Sequence, residues 1–189
     1  MVRAGYEDKE CIVDILVQSF YDNRSVNYII KQDRKKDERV RKLMKYSFDL
    51  CYYFGDVFFS ENKMGCALIL FPEQRKTSIK AIFLDIQFIF SCMDIRHFKK
   101  AIARESKVKA LQSDGLKSYL WFIGVARLNQ GKGIGTLLLN EVLDFLQKKN
   151  RPVLLETSNV QNVRWYEYSG FKIYNKLDLG YELYFMKKE

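Results

Sequence analysis

Gln130-Gly131-Lys132-Gly133-Ile134-Gly135 puts three glycines into six residues, just ahead of a run with helical spacing. The first turn of a helix has N–H groups without intrahelical partners and a partial positive charge. Glycines let a ligand reach those groups with no Cβ in the way. Such a turn suits a phosphate, and Lys132 adds a cation at its mouth. A bare turn joining a strand to a helix is the alternative. Two phosphate loops do not fit. A P-loop ends in Gly-Lys-Ser/Thr, whereas Thr136 here follows Gly135 directly. A dinucleotide fingerprint needs a third glycine, and Thr136 or Leu138 stands at that position. The spacing that remains is Gln/Arg-x-x-Gly-x-Gly/Ala, which Gln130, Gly133 and Gly135 satisfy.

The elements around this turn must be a strand before it and a helix after it. Lys117 to Val125 is aromatic and β-branched, so a strand is expected. Ile134 to Lys149 carries Ile134, Leu138, Leu139, Val142, Phe145 and Leu146 on one helical face. Asn150-Arg151-Pro152 stops it. Val153 to Thr157 reads as a short buried strand, and Asn159 to Ser169 as a short helix ending at Gly170. Upstream, Glu7 to Asn23 and Asp37 to Tyr53 have helical periodicity. Asp56 to Phe71 reads as a hairpin closed by Pro72, and Ser78 to Lys109 as helix in two or three pieces. Phe171 to Lys176 and Tyr181 to Lys187 form a closing hairpin. Helices and strands interleave, so the class is α/β or α+β with a mixed sheet.

The 189 residues suit one domain. With 48% apolar residues, 10 Gly and 2 Pro, a disordered or linker-divided chain is excluded. Cys11, Cys51, Cys66 and Cys92 are scattered, which speaks against a disulfide framework or a metal site. Reduced thiols in a cytoplasmic protein are expected. The most apolar stretch, Ala81 to Met93, is too short for a bilayer and carries Asp85. The net charge of +9 lies in two segments. Lys31 to Lys45 has eight basic and three acidic residues, and Arg96 to Lys109 has six and one. Either could attract a polyanion, but neither has the basic-aromatic interleaving of a base-stacking platform. Solvated helix faces are the simpler account, and nucleic acid is disfavoured as a partner.

Two motifs together resemble the GNAT acetyltransferases. Gln130, Gly133 and Gly135 match that family's pyrophosphate loop, and Gly124-Val125 looks like the end of its strand four. Downstream, Leu155 to Phe171 (LETSNVQNVRWYEYSGF) is similar to strand five and the short helix after it. Asn162, Trp165-Tyr166 and Gly170-Phe171 fit the family's spacing there. The close resemblance covers Tyr119 to Phe171. There are departures: Arg127 stands where proline is frequent, and Asn129 where an aromatic or histidine is. The strand-four segment has no carboxylate, where many relatives carry a basic glutamate.

The resemblance implies a single GNAT domain over residues 1–189. Acceptor-side helices would span about 7–53 and 78–109, and a cofactor core about 117–171. The implied sheet is twisted, mostly antiparallel and flanked by helices, with strands four and five splayed. Acetyl-CoA is the implied cosubstrate and a primary amine of a small molecule or peptide the acceptor, with no metal. Val125 main-chain groups would pair with pantetheine. The N–H groups around Gly131, Lys132, Gly133, Ile134, Gly135 and Thr136 would hold the pyrophosphate, with Gln130 also among the cofactor-binding residues. Asn162 would contact the CoA arm or cap the short helix, with Asn159 the second choice for that contact. Tyr166 is the candidate general acid, since a tyrosine stays protonated at neutral pH and can donate to a leaving thiolate. The base is open between Glu156, the lone His97 and a water relay. A sensing module without turnover is the main alternative. Dimerisation is not legible.

Overall fold

The computed structural model describes residues 1–75, 78–92, 95–112 and 115–189, with backbone alone for 87–92 and 95–101. The chain runs β1 (Val2–Arg3), α1 (Lys9–Phe20), α2 (Arg24–Ile29), α3 (Lys36–Phe54), β2 (Gly55–Phe59) and β3 (Gly65–Leu70). It continues through α4 (Pro72–Arg75), α5 (Ile79–Cys92), α6 (Ile95–Leu111), β4 (Ser118–Val125) and α7 (Ile134–Gln147). β5 (Val153–Thr157), α8 (Val160–Tyr168), β6 (Lys172–Asp178) and β7 (Glu182–Lys188) complete it. The seven strands form one sheet in the order β1-β2-β3-β4-β5-β7-β6. Every neighbouring pair is antiparallel except β4–β5, which is parallel.

Helices cover both faces of this sheet. Cys66, Leu68 and Leu70 of β3 join the α1 and α3 side, with Ile12, Leu16, Met44 and Phe48. Ala67 and Ile69 point the other way, into the α7 side with Leu138, Leu139 and Val142. β3 is therefore buried along its whole length, which is why its sequence is continuously apolar rather than alternating. The α7 stripe matches the sequence pattern, with Leu143 added to the buried set.

Two elements differ from the sequence expectation. Pro72 does not simply close the hairpin; it opens the short α4, where its missing N–H costs nothing. The region from Ser78 divides into α5 and α6, in keeping with the helix in two or three pieces expected there. A six-residue helix, α2, follows α1 and is capped by Asn23, whose side chain accepts from the Val26 N–H at 3.1 Å. The basic segment in α3 is largely ion-paired: Arg41 meets Glu10 and Asp14, Lys45 meets Glu10, and Lys42 meets Glu38. Its positive field is thereby shortened, in line with a solvated helix face. No helix among the described residues is long and apolar enough to cross a membrane.

The parallel pair β4–β5 is the opening in the sheet. Its ladder covers only Ser118 and Tyr119 against Val153 and Leu154, although β4 runs on to Val125. The β3–β4 register slips opposite Leu68 and Ile69, so that Trp121 has no partner residue. A bulge of this kind bends its strand and ends regular pairing. Beyond it, β4 leaves β5.

Candidate active site

The register beyond the bulge decides what faces the gap. Ala126 donates its N–H to the Met64 carbonyl at 2.8 Å, and Val125 lies opposite Gly65. In an antiparallel ladder the bonded pairs alternate. Ile123 and Val125 therefore turn their N–H and C=O away from β3 and toward the gap. The Val125 carbonyl is already engaged there, accepting from Ser19 Oγ at 2.9 Å and Gln130 Nε2 at 3.0 Å. Its N–H is the half of the residue left for a ligand.

The glycine turn closes the end of this gap. Gly131 and Gly133 have φ of 77° and 79°, the left-handed region that favours glycine. Gly133 is the N-cap of α7, and its carbonyl accepts from the Leu137 N–H at 3.0 Å. None of the N–H groups from Gly131 to Thr136 finds an acceptor among the described residues. A Cβ added at Gly131 or Gly133 would meet nothing within 4 Å, so no side chain or backbone crowds either glycine on that side. Gly124 serves a different need: a Cβ there would lie 2.9 Å from Ser19 Oγ, where α1 crosses β4.

These groups wall a groove of about 1070 Å³ between the α1–α2 corner, the end of β4, the glycine turn and the start of α8. Val125, Gln130, Gly131, Gly133, Ile134, Gly135, Thr136, Asn159 and Asn162 all line it. Lys132 does not; its Nζ donates to Asn129 Oδ1 at 3.1 Å. Asn159 is the cap of α8, its side chain accepting from the Gln161 N–H at 2.9 Å. Asn162 is thus free of the capping role. Trp165 is half-buried and donates through Nε1 to Thr136 Oγ1 at 3.0 Å, tying α8 to the first turn of α7.

A second, inner cavity of about 440 Å³ adjoins the groove. Phe20, Asn23, Ile123, Ser158 and Asn162 line both spaces and mark the junction. Glu156 and Tyr166 line the inner space only. Glu156 is neither an exposed carboxylate nor a cap. Gln112 Nε2 donates to its Oε1 at 2.8 Å, and the Tyr119 hydroxyl donates to Oε2. Burial raises the Glu156 pKa above the ordinary carboxylate range, while these two hydrogen bonds and the Arg104 charge pull the other way. Burial alone pushes the Tyr166 phenol up, so it is protonated at neutral pH. Its neighbour Tyr168 is 90% exposed and away from both spaces.

Sequence reasoning passed over several residues of the inner wall. Gln112, Tyr119 and Arg104 gave no local signal. Asp85 did, as a carboxylate inside an apolar run. It receives the Tyr46 hydroxyl at 2.6 Å and the Arg75 guanidinium at 2.5 and 2.6 Å. The side chains of His97 and Cys92 lie outside the described residues. Cys11 is exposed, and Cys51 and Cys66 are buried free thiols. No group of His, Cys, Asp or Glu among the described residues is placed to hold a metal ion.

Residues 94–171 match the model of the acetyltransferase (GNAT) family. Over that span the chain is similar to GNAT acetyltransferases, and the match begins upstream of the segment in which the motifs stand. Solved structures share the fold at low identity. A structure from Corynebacterium glutamicum, described as histone acetyltransferase HPA2 and related acetyltransferase, superposes with a TM-score of 0.70 at 18% identity, covering 99% of this chain and 93% of that one. The C-terminal condensation domain of Ebony, in complex with beta-alanyl-dopamine, gives 0.69 at 15% identity, covering 100% and 97%. A Drosophila melanogaster polyamine N-acetyltransferase gives 0.61 at 12%, covering 100% and 98%. No curated protein matches significantly.

Proposed function

We propose that the chain is an N-acetyltransferase, moving an acetyl group from acetyl-CoA directly to a primary amine, with residues 1–189 working as one domain. One observation carries this: an amide-lined groove opens into a cavity that holds a buried carboxylate. The groove fits the donor. Pyrophosphate oxygens would take the N–H groups of Gly131 to Thr136, and pantetheine would add along β4 as an extra strand on Ile123. Asn162, at the junction, would meet the end of that arm.

The inner cavity would take the acceptor. An alkylammonium is about 0.04% neutral at pH 7, so a proton must leave before attack. Glu156 would accept it. The amine nitrogen then forms a bond to the thioester carbon, and the Val125 N–H would hold the carbonyl oxygen as it gains charge. As the carbon–sulfur bond breaks, the Tyr166 hydroxyl would donate to the thiolate, and the second proton lost by the attacking nitrogen would restore the Tyr166 phenol. The products are an amide and the free thiol, and the acceptor's surplus proton returns to water through Glu156. The scattered free thiols suit a reducing cytoplasm.

Release of free CoA thiol from acetyl-CoA, measured across a panel of amines, tests the proposal. Amine-dependent release is the expected result. Tight acetyl-CoA binding with no release above hydrolysis for any amine would instead mark a sensing module.

A further inference from the structure

A carboxylate and a guanidinium face the inner cavity without forming an ion pair with each other among the described residues. Glu156 is held by the neutral groups of Gln112 and Tyr119. Arg104, half-buried on α6, bonds to the Tyr181 hydroxyl and makes no ion pair among the described residues. Its Nε–H is buried and finds no acceptor. The remaining charges on this wall have partners: Arg75 holds Asp85, and Lys109 lies 3.4 Å from the exposed Glu105. Arg104 and Glu156 are the pair left over, one of each sign.

A buried guanidinium with an idle donor is unfavourable unless something completes it. An isolated cation would be completed by any anion, but an anion alone would face Glu156 across the same cavity. A ligand bearing both signs satisfies both walls. We propose that the acceptor is a small amino carboxylate, its carboxylate gripped by Arg104 and its amine turned toward Glu156 and the junction with the groove. Guanidinium suits this task because its planar fork donates two parallel hydrogen bonds to a carboxylate. The cavity volume fits an amino acid rather than a folded protein's tail. Phe20, Trp121 and Phe122 on its wall would pack an apolar or aromatic side chain. This assignment rests on the acetyltransferase proposal for the site as a whole.

The test compares glycine, β-alanine and phenylalanine, each against its decarboxylated amine and its amide, by thiol release from acetyl-CoA. At least one acid should exceed both of its counterparts in kcat/KM by about 50-fold or more. Arg104→Met should remove that margin by lowering the acid's kcat/KM far more than the amine's, and Arg104→Lys should restore only part of it. Amines or amides turned over as well as the acids overturn the proposal and leave the acetyltransferase function standing. Calorimetry with acetyl-CoA on Arg104→Met checks that the groove is intact. Should no acceptor react, calorimetry with the same acids decides. Binding that Arg104→Met abolishes supports the Arg104 site even if the transferase function fails, and no binding overturns it.

Discussion

The groove and the inner cavity share a wall but are made of different material. The groove is main chain. Its unpaired polar groups are the amides of Ile123, Val125 and the glycine turn, all within one continuous stretch from β4 to α7. The inner cavity is side chain. Its polar groups come from the α1–α2 corner, α3 to α6, β4, β5 and α8, and the Glu156 carboxylate is set by Gln112 and Tyr119 from 44 and 37 residues away. A main-chain site is altered through conformation, and a side-chain site through chemistry. Substitutions should therefore separate the two, with donor affinity following the first and turnover the second.

The largest separation is expected at Glu156. Glu156→Gln keeps the shape and the acceptor for Gln112 but removes the proton acceptor. Turnover should fall by about 10²–10⁴-fold, with acetyl-CoA affinity by calorimetry unchanged within about threefold. The pH dependence gives a second handle. Because burial raises the folded-state pKa, the acid limb of kcat should lie above the ordinary carboxylate range and vanish in the variant. Stability runs the other way. A group whose pKa is raised on folding contributes stability below its unfolded pKa and loses it as pH rises through the folded value. Glu156→Gln should thus melt higher than the parent at neutral pH, and the gap should close on acidification. A variant with unchanged turnover would take the base out of this cavity and break the division of labour.

Tyr166→Phe comes next. The hydroxyl makes no hydrogen bond among the described residues, so its removal should cost little stability. Its loss should lower kcat by about 10–100-fold, at the lower end of what proton donors supply. The high phenol pKa makes it a weak acid but a dependable donor. A rise in KM for acetyl-CoA with kcat intact would move Tyr166 from the leaving group to the donor's binding wall.

Gly133→Ala probes the groove in the opposite sense. The added Cβ meets nothing within 4 Å, so any effect comes from φ alone. An L-residue held in the left-handed region costs about 1–2 kcal/mol, which is about 5–30-fold in acetyl-CoA affinity if the turn must be left-handed to bind. kcat at saturating donor should hardly move. Gly133→Asn, which tolerates this region better, should fall between. Equal affinities for all three would show that the amides of this turn are not what holds the donor.

These contrasts also explain what the sequence disclosed. The groove was legible because its shape depends on glycine spacing and on one strong helix, and both are local. The elements around it followed from periodicity, and even fully buried β3 was recognisable between its turn and Pro72. The bulge at Trp121 was not, since nothing in an aromatic strand announces which residue will lose its partner. The inner cavity was half visible. Glu156 and Tyr166 stood out by position, but α2 is too short for periodicity to register, and Gln112 is an ordinary glutamine until α6 sets it against β5. Arg104 lay in a basic run whose charge pattern suggested solvent; only the fold turns that one residue inward.

The smallest contrast lies within α8, where two asparagines competed for one role. Asn159 holds the cap through the Gln161 N–H, and Asn162 stands where both spaces meet. Asn159→Ala should cost about 1 kcal/mol of stability, read as a lower midpoint in denaturant with unchanged slope. Asn162→Ala removes no cap and should leave the midpoint nearly in place while raising KM for acetyl-CoA a few-fold. Because α8 also carries Tyr166, a frayed cap has a second consequence. Loosening the first turn should disturb Tyr166 less than Asn162, since Tyr166 packs against Phe171 with ring centroids 5.5 Å apart at the far end. The Asn159 variant should accordingly lose some donor affinity and no kcat. If kcat falls instead, the helix moves as one piece, and the wall shared by the two spaces couples them rather than dividing them.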